Sequence, residues 1–193
     1  MKKFKLEVLF YIMACLVTTG VKGQDLQILV NPFMKTQVEQ FSNVRDLSMS
    51  EDGNEVYYSV QSYLGELSVI VTTQKVGGNW SSPQVASFSG RYMDMEPFLT
   101  PNGLKLFFVS NRPLHADSTH PKDYDIWMVE RATRNDNWSQ PINIGSPVNS
   151  IENEFYPSIA SSGNLYFTSD GKNSKGKDDI YFSKCELTWQ GVA

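Results

Sequence analysis

Short apolar runs, alternating or continuous, recur along the chain and are separated by turn residues. Three of these runs lead into a pair of residues whose second member is glycine. After each pair comes a run that is rich in β-branched or aromatic residues. The three segments are 45–59, 95–110 and 155–169. Apolar runs of about four to eight residues bounded by such turn residues are typical of strands. The pattern predicts three β-hairpins, with the pairs that end at Gly53, Gly103 and Gly163 supplying the positive φ angles of tight turns.

Further residues recur once after each hairpin. Asp125 and Asp179 open matching Asp-Ile-aromatic tripeptides, and Trp80, Trp138 and Trp189 follow later in their units. A repeated aspartate at a strand entrance favours a structural role, accepting backbone N–H bonds, over catalysis or metal binding. The recurring tryptophans favour packing between neighbouring blades, although a sugar-stacking face is the alternative.

The turn glycines are separated by 50 and 60 residues, so each unit is about 50 residues long. One unit of four short strands cannot bury both faces of its sheet, so several must pack side by side. Repeated four-stranded units of roughly 40–50 residues are typical of β-propeller blades. The sequence therefore predicts an all-β fold of about three four-stranded blades, after a lead segment at 24–44. The predicted blades are 45–94, 95–153 and 154–193.

Residues 96–112 and 124–127 carry a more specific pattern. They contain Glu-Pro-Phe, Asn-Gly, Leu-Phe-Phe-Val-Ser-Asn-Arg and Tyr-Asp-Ile-Trp, and residues 156–181 repeat much of it. This pattern resembles the WD40-like PD40 repeat of TolB-like β-propellers, and the resemblance covers about residues 41–189. It implies part of a six-bladed propeller that serves as a rigid interaction platform in the bacterial envelope.

The first 23 residues predict a secretory signal peptide, because lysines precede an apolar stretch at 6–17 and small residues close it. The apolar stretch is shorter than the roughly 20 residues of a membrane span, so no integral span is expected after cleavage. Together with the resemblance to envelope propellers, this signal implies export to the periplasm or surface of a Gram-negative bacterium. Cys15 ends an Ile-Met-Ala-Cys segment that resembles a lipobox. A lipid anchor attached to Cys15 is therefore an alternative to a cysteine that is simply part of the signal peptide.

Removing 1–23 changes the formal net charge from −4 to −7, because four lysines and one glutamate are lost. Such an acidic chain argues against a nucleic-acid partner. Cys185 is then the single cysteine, which excludes an intrachain disulfide and a cysteine-based zinc site. No phosphate-loop or nucleophile-elbow motif is present, so no cofactor and no enzyme activity are predicted.

Acidic pairs precede the second and third repeats at matching places, Asp94 with Glu96 and Glu152 with Glu154. Equivalent blade positions converge around a central channel, so Glu96 and Glu154 are candidates for an acidic channel mouth.

The polar stretch 113–122 holds both histidines, His115 and His120, and we interpret it as an inserted surface loop that could contribute to binding. The histidines lack further ligands at a suitable spacing, so a metal site is not predicted.

Three functional hypotheses remain open. The first is a non-catalytic, exported scaffold that binds an envelope protein or peptide. The second is a carbohydrate-binding or glycoside-cleaving propeller that uses Glu96 or Glu154. The third is a truncated fragment without independent function, because propellers typically close with about 4–8 blades.

Overall fold

The computed structural model describes residues 30–114, 121–172 and 174–184. The chain divides into two compact units, Met1–Phe33 and Met34–Ala193, and every helix and strand of the described residues lies in the second. A short helix, α1 (Lys35–Val38), precedes the strands. The strands are β1 (Asn43–Met49), β2 (Glu55–Gln61), β3 (Ser68–Val76), β4 (Asn79–Trp80), β5 (Gln84–Val85), β6 (Asp94–Leu99), β7 (Lys105–Ser110), β8 (Asp125–Glu130), β9 (Ile142–Asn143), β10 (Glu154–Ile159), β11 (Leu165–Ser169) and β12 (Asp179–Ser183).

The strands form three antiparallel sheets in chain order, which we call blades 1, 2 and 3. Blade 1 has the order β1-β2-β3-β4, with β5 also paired to β3. Blade 2 has the order β6-β7-β8-β9, and blade 3 has the order β10-β11-β12. The predicted meander of short strands is therefore present. The fourth strand expected near the end of blade 3 falls on residues 185–193, outside the described part of the chain.

Alternate residues of one strand pack against different neighbouring blades. Leu106 and Phe108 of β7 belong to the cluster shared with blade 1, which includes Tyr57 of β2. Phe107, between them, belongs to the cluster shared with Leu165 of blade 3. Because side chains alternate across a strand, a blade buried on both faces has a continuous apolar sequence. This explains the unbroken apolar run of β7.

The two outer faces of this stack differ. The face of blade 1 that turns away from blade 2 packs Val56 and Tyr58 against Met34 and the residues around α1. In blade 3, Tyr166, Ile180 and Phe182 lie exposed. Every other residue of β11 is buried, and β12 alternates exposed with half-buried residues, as a sheet covered on one face does. The all-β class and the three blade-like antiparallel sheets predicted from the sequence are confirmed, although blade 1 has five strands rather than the expected four.

Candidate binding site on the inner strands

The first strand of each blade contains a bulge at the same place. The bulge residues are Asp46, Glu96 and Tyr156, with φ angles of 56°, 54° and 52°. A left-handed backbone costs a non-glycine residue about 1–2 kcal/mol, so three equivalent instances form a repeated device rather than an accident. These strands lie side by side, β1 against β6 and β6 against β10, and we call them the inner strands.

Arg45 connects the three bulges. Its Nε donates to Asp46 Oδ1 at 3.0 Å, and its Nη2 donates to the Tyr156 hydroxyl at 2.8 Å. The same Nη2 lies 3.7 Å from Glu96 Oε1. The backbone N–H of Tyr156 donates to Glu96 Oε2 at 2.6 Å. Arg45, Asp46, Glu96 and Tyr156 thus form one polar cluster that spans all three blades, which we call the inner-strand cluster.

Burial controls the charge of Glu96, which is only 5% exposed. Burial raises the pKa of Glu96 to about 7, and the negative charge of Asp46 adds to the rise. The Tyr156 N–H and the Arg45 guanidinium oppose it but do not cancel it. At neutral pH the Glu96 carboxyl is therefore divided between its charged and neutral forms.

The cluster faces solvent through its other members. The Arg45 side chain is 39% exposed, Tyr156 is 53% exposed, and Leu47, two residues after Arg45, is 52% exposed. Arginine and tyrosine are enriched among the residues that dominate binding energy at protein interfaces. A cation, an aromatic ring and an aliphatic side chain are thus presented together on the inner strands.

Glu154 is not part of this cluster. The expected match of Asp94 with Glu152, and of Glu96 with Glu154, is wrong. Glu154 lies opposite Ser169 at the start of β10, as Asp94 lies opposite Ser110 at the start of β6. The strand register therefore matches Glu154 with Asp94. Glu96 corresponds in turn to the aromatic residue Tyr156. Glu154 lines a different cavity, between blade 3 and the connection 147–152 that precedes it.

Positive φ angles are found at the three expected turn glycines, Gly53, Gly103 and Gly163. The residue before each glycine does not share that conformation, so the expectation that the pair together supplies the positive φ angles is wrong. Asn102 shows the reason: its side chain accepts hydrogen bonds from the Thr100 hydroxyl at 2.7 Å and the Leu104 N–H at 3.1 Å. These bonds fix a longer turn in which glycine alone is left-handed.

The repeated aspartates differ in their partners. Asp179 accepts the backbone N–H of Lys175 at 2.9 Å, as expected of a strand-entrance aspartate. Asp125 instead accepts side-chain N–H groups, from Lys122 and Asn143, both at 2.6 Å. The backbone-donor expectation is wrong for Asp125, because a lysine and the outer strand β9 supply the donors there.

Trp138 lies between blades 1 and 2, where its Nε1 donates to the Tyr57 hydroxyl at 2.9 Å. The Arg131 guanidinium stacks 4.2 Å from its ring. Trp80 packs against the cluster on the other face of blade 1, with Lys75 over its ring at 5.7 Å. The contacts of Trp138 agree with packing between neighbouring blades, whereas for Trp80 that expectation is wrong, because its cluster covers the face of blade 1 that turns away from blade 2.

The remaining sequence candidates, His115, His120, Trp189 and the anchor position Cys15, lie outside the described residues. Within residues 30–114, 121–172 and 174–184, no group of three or more metal-ligating side chains is assembled. No helix in that part of the chain is both long and apolar enough to cross a membrane.

Sequence reasoning missed Arg45, Asp46 and Tyr156. A signal was available, because Asp46, Glu96 and Tyr156 stand at the same offset before their turn glycines, at 7 residues in each repeat. Their differing chemistry hides that equivalence.

No protein-family model matches the sequence, and no curated protein does. Among solved structures, TolB from Acinetobacter baumannii aligns over 74% of this chain and 30% of its own, at 16% identity and a TM-score of 0.48. A Hadza microbial sialidase aligns over 76% of this chain and 36% of its own, at 17% identity and a TM-score of 0.50. The chain thus spans about a third of each of these proteins. At such identity the likeness concerns the fold alone: the described strands form part of a β-propeller.

Proposed function

We propose that this chain is a non-catalytic scaffold, exported to the envelope of a Gram-negative bacterium, that binds a protein or peptide through its inner strands. The observation that supports this proposal is the position of Arg45. One guanidinium group joins the bulge residues of three blades and is still partly open to solvent.

The donors of Arg45 suit a peptide ligand. Its Nε and Nη2 are engaged by Asp46 and Tyr156, whereas Nη1 has no acceptor among the described residues. A guanidinium carries five N–H donors in a fixed fork, so the open side can donate to a carboxylate or to a peptide carbonyl. The exposed Tyr156 ring and Leu47 provide apolar area beside it.

The blade framework holds these groups in place before a ligand arrives. Arg45 and Tyr156 lie on strands whose bulges are fixed by pairing with β2 and β11. The Tyr156 N–H is further tied to Glu96 at 2.6 Å. Groups that need little ordering on binding lose little conformational entropy, which favours affinity.

The proposal is tested by using the purified chain as bait in an envelope extract, beside the variants Tyr156→Ala and Arg45→Ala. Tyr63, 86% exposed in the β2–β3 turn, provides a matched control variant, Tyr63→Ala. We expect a specific partner to be captured by the wild type and by Tyr63→Ala, and to be lost with the two inner-strand variants. Capture of nothing above background, or equal capture by all four proteins, would contradict the proposal.

A second candidate is a glycan-directed activity, favoured by the pKa of about 7 at Glu96, which suits proton transfer at neutral pH. The Tyr156 hydroxyl and the Arg45 guanidinium beside it could hold a polar ligand. Binding to a glycan array and hydrolysis of the glycans bound, both lost in Glu96→Gln, would support this candidate. Negative results with the wild-type chain across plant and host glycans would exclude it in favour of the scaffold.

A further inference from the structure

A cavity of about 320 Å³ opens between blade 3 and the connection 147–152 that precedes it, apart from the inner-strand cluster. Its walls include the carboxyl of Glu154, the hydroxyl of Ser169, the rings of Phe167 and Tyr181, and the backbone of Gly171. We call it the Glu154 cavity. Its volume is at the lower end of the range of small-ligand sites, about 300–1,000 Å³.

The preceding blade shows what occupies the corresponding place there. Ser110 ends β7 opposite Asp94 and Asp125, just as Ser169 ends β11 opposite Glu154 and Asp179. Two residues after Ser110 comes Arg112, and two residues after Ser169 comes Gly171. An arginine side chain in blade 2 is therefore replaced by a hydrogen atom in blade 3.

Arg112 fills its place completely. Its Nη2 donates to Asp94 Oδ1 at 2.6 Å, and its Nε donates to the Ser110 hydroxyl at 2.9 Å. Its guanidinium lies 4.8 Å from the Phe108 ring centre and 5.4 Å from that of Trp127. The arginine is 7% exposed, so the site is a buried receptor for a guanidinium group.

Blade 3 keeps four of the groups that surround Arg112. A fifth is not kept: the Tyr92 ring, 5.6 Å from the Arg112 guanidinium and two residues before Asp94, is replaced by Glu152, two residues before Glu154. By register, Glu154 stands for Asp94, Ser169 for Ser110, Phe167 for Phe108 and Tyr181 for Trp127. The rings of Phe167 and Tyr181 lie 5.8 Å apart and 26° from parallel.

Gly171 leaves the receptor open. A Cβ built on Gly171 would meet only the Ser169 hydroxyl at 3.5 Å and the Tyr181 hydroxyl at 4.0 Å, both ordinary contacts. The backbone of Gly171 has no left-handed φ, so a larger side chain is conformationally allowed there.

Asp94 is paired with the Arg112 guanidinium, whereas Glu154 has no cationic partner among the described residues. Its carboxylate accepts hydrogen bonds from the Ser150 hydroxyl at 2.7 Å, the Ser150 N–H at 3.2 Å and the Ser169 hydroxyl at 3.3 Å. No ion pair of Glu154 occurs among the described residues, although Lys172 and Glu152 also line the cavity. A carboxylate offers about four acceptor positions, so capacity remains for a further donor.

We propose that the Glu154 cavity binds a guanidinium group that comes from outside the described fold, of the kind carried by an arginine side chain. The planar guanidinium suits this site better than an ammonium group. It can lie over aromatic rings while it donates to a carboxylate, as Arg112 does with Phe108, Trp127 and Asp94 in blade 2. This proposal does not depend on the function proposed for the inner strands.

The test is titration of the full chain with N-acetyl-arginine amide, followed by calorimetry and by the NMR shifts of residues 167–171. We expect saturable binding that is at least tenfold tighter than binding of N-acetyl-lysine amide. Glu154→Gln should weaken it at least tenfold. Gly171→Arg should abolish it and raise the melting temperature, because its own side chain fills the cavity. Gln140→Arg, which adds the same charge at an exposed position, should bind like the wild type.

An arginine-containing hexapeptide serves as a second probe. Tighter binding of the hexapeptide than of the amide would identify a peptide as the source of the guanidinium, and equal binding would identify a small guanidine compound. Absence of saturable binding of both probes to the wild type would overturn the proposal. Undiminished binding to Gly171→Arg would overturn it as well, whether or not Glu154→Gln folds.

Discussion

Arg45 in β1 donates a 2.8 Å hydrogen bond to the hydroxyl of Tyr156 in β10, a residue 111 positions later in the chain. The bond joins blade 1 to blade 3 across the inner strand of blade 2. We expect a double-mutant cycle of Arg45→Ala and Tyr156→Phe to give a coupling energy of about 1 kcal/mol. This is less than a buried hydrogen bond to a charged group would give, because both side chains are partly exposed to solvent. Urea unfolding of the four proteins measures it. A coupling energy of zero would show that the blades are not joined at this point.

The raised pKa of Glu96 predicts that the stability of the fold depends on pH. Its pKa is raised from 4.5 to about 7 by burial, so between these values the folded state binds more protons than the unfolded chain. The contribution of Glu96 is therefore fully present below about pH 4.5 and is lost as pH rises through about 7, with a slope of at most about 1.4 kcal/mol per pH unit.

Urea unfolding of the wild type and of Glu96→Gln at several values from about pH 4 to pH 8 tests this dependence. Burial also raises the pKa of Glu154 and Asp125, so the quantity to compare is the difference between the two proteins. We expect the wild type to lose stability relative to Glu96→Gln as pH rises. Parallel curves would contradict the raised pKa.

Glu55 and Arg131 form a buried ion pair between blades 1 and 2. Arg131 Nη2 lies 2.6 Å from Glu55 Oε2, and the two side chains are only 3% and 8% exposed. Removing one member of a buried pair leaves an uncompensated charge, so Arg131→Met should lower the free energy of unfolding by about 3 kcal/mol.

The more exposed pair of Lys105 and Glu130, at 3.3 Å, provides the control for this prediction. Lys105→Met should cost less than about 1 kcal/mol. Equal losses in Arg131→Met and Lys105→Met would show that burial of the first pair has no particular effect.

The turn glycines Gly53 and Gly103 differ in their surroundings. Both have a left-handed φ, but a Cβ on Gly103 would lie 2.7 Å from Arg134 Nε, whereas on Gly53 the nearest atom is Met49 Sδ at 3.9 Å. Gly53→Ala should therefore cost about 1 kcal/mol from backbone strain alone. Gly103→Ala should cost more, because Arg134 must leave its bonds to Asn102 O and Asp52. Thermal unfolding of the two variants measures both losses of stability, and equal losses would contradict the prediction.

The blade architecture could be predicted from the sequence because its determinants are local. Each hairpin requires a glycine at one turn position, and a strand buried on both faces requires an unbroken apolar run, as in β7. Both features lie within about 15 residues and recur once per unit.

The functional groups could not be predicted in the same way. Asp46, Glu96 and Tyr156 occupy one structural position with three different side chains, and Arg45 reaches them only after the blades have packed. The role of Gly171 could not be predicted either, because it becomes visible only when the strand register matches Gly171 of blade 3 with Arg112 of blade 2. Repeats preserve geometry, whereas sites arise where the repeats differ.

The central claim, that the inner strands bind a peptide, is tested most directly by measuring peptide affinity. Peptides selected from a random displayed library on the wild-type chain would be titrated against the wild type, Tyr156→Ala and Tyr63→Ala. We expect Tyr156→Ala to weaken the selected peptides at least tenfold and Tyr63→Ala to leave their affinity unchanged. Failure to select any peptide above an unrelated control protein, or equal affinity for Tyr156→Ala, would contradict the claim.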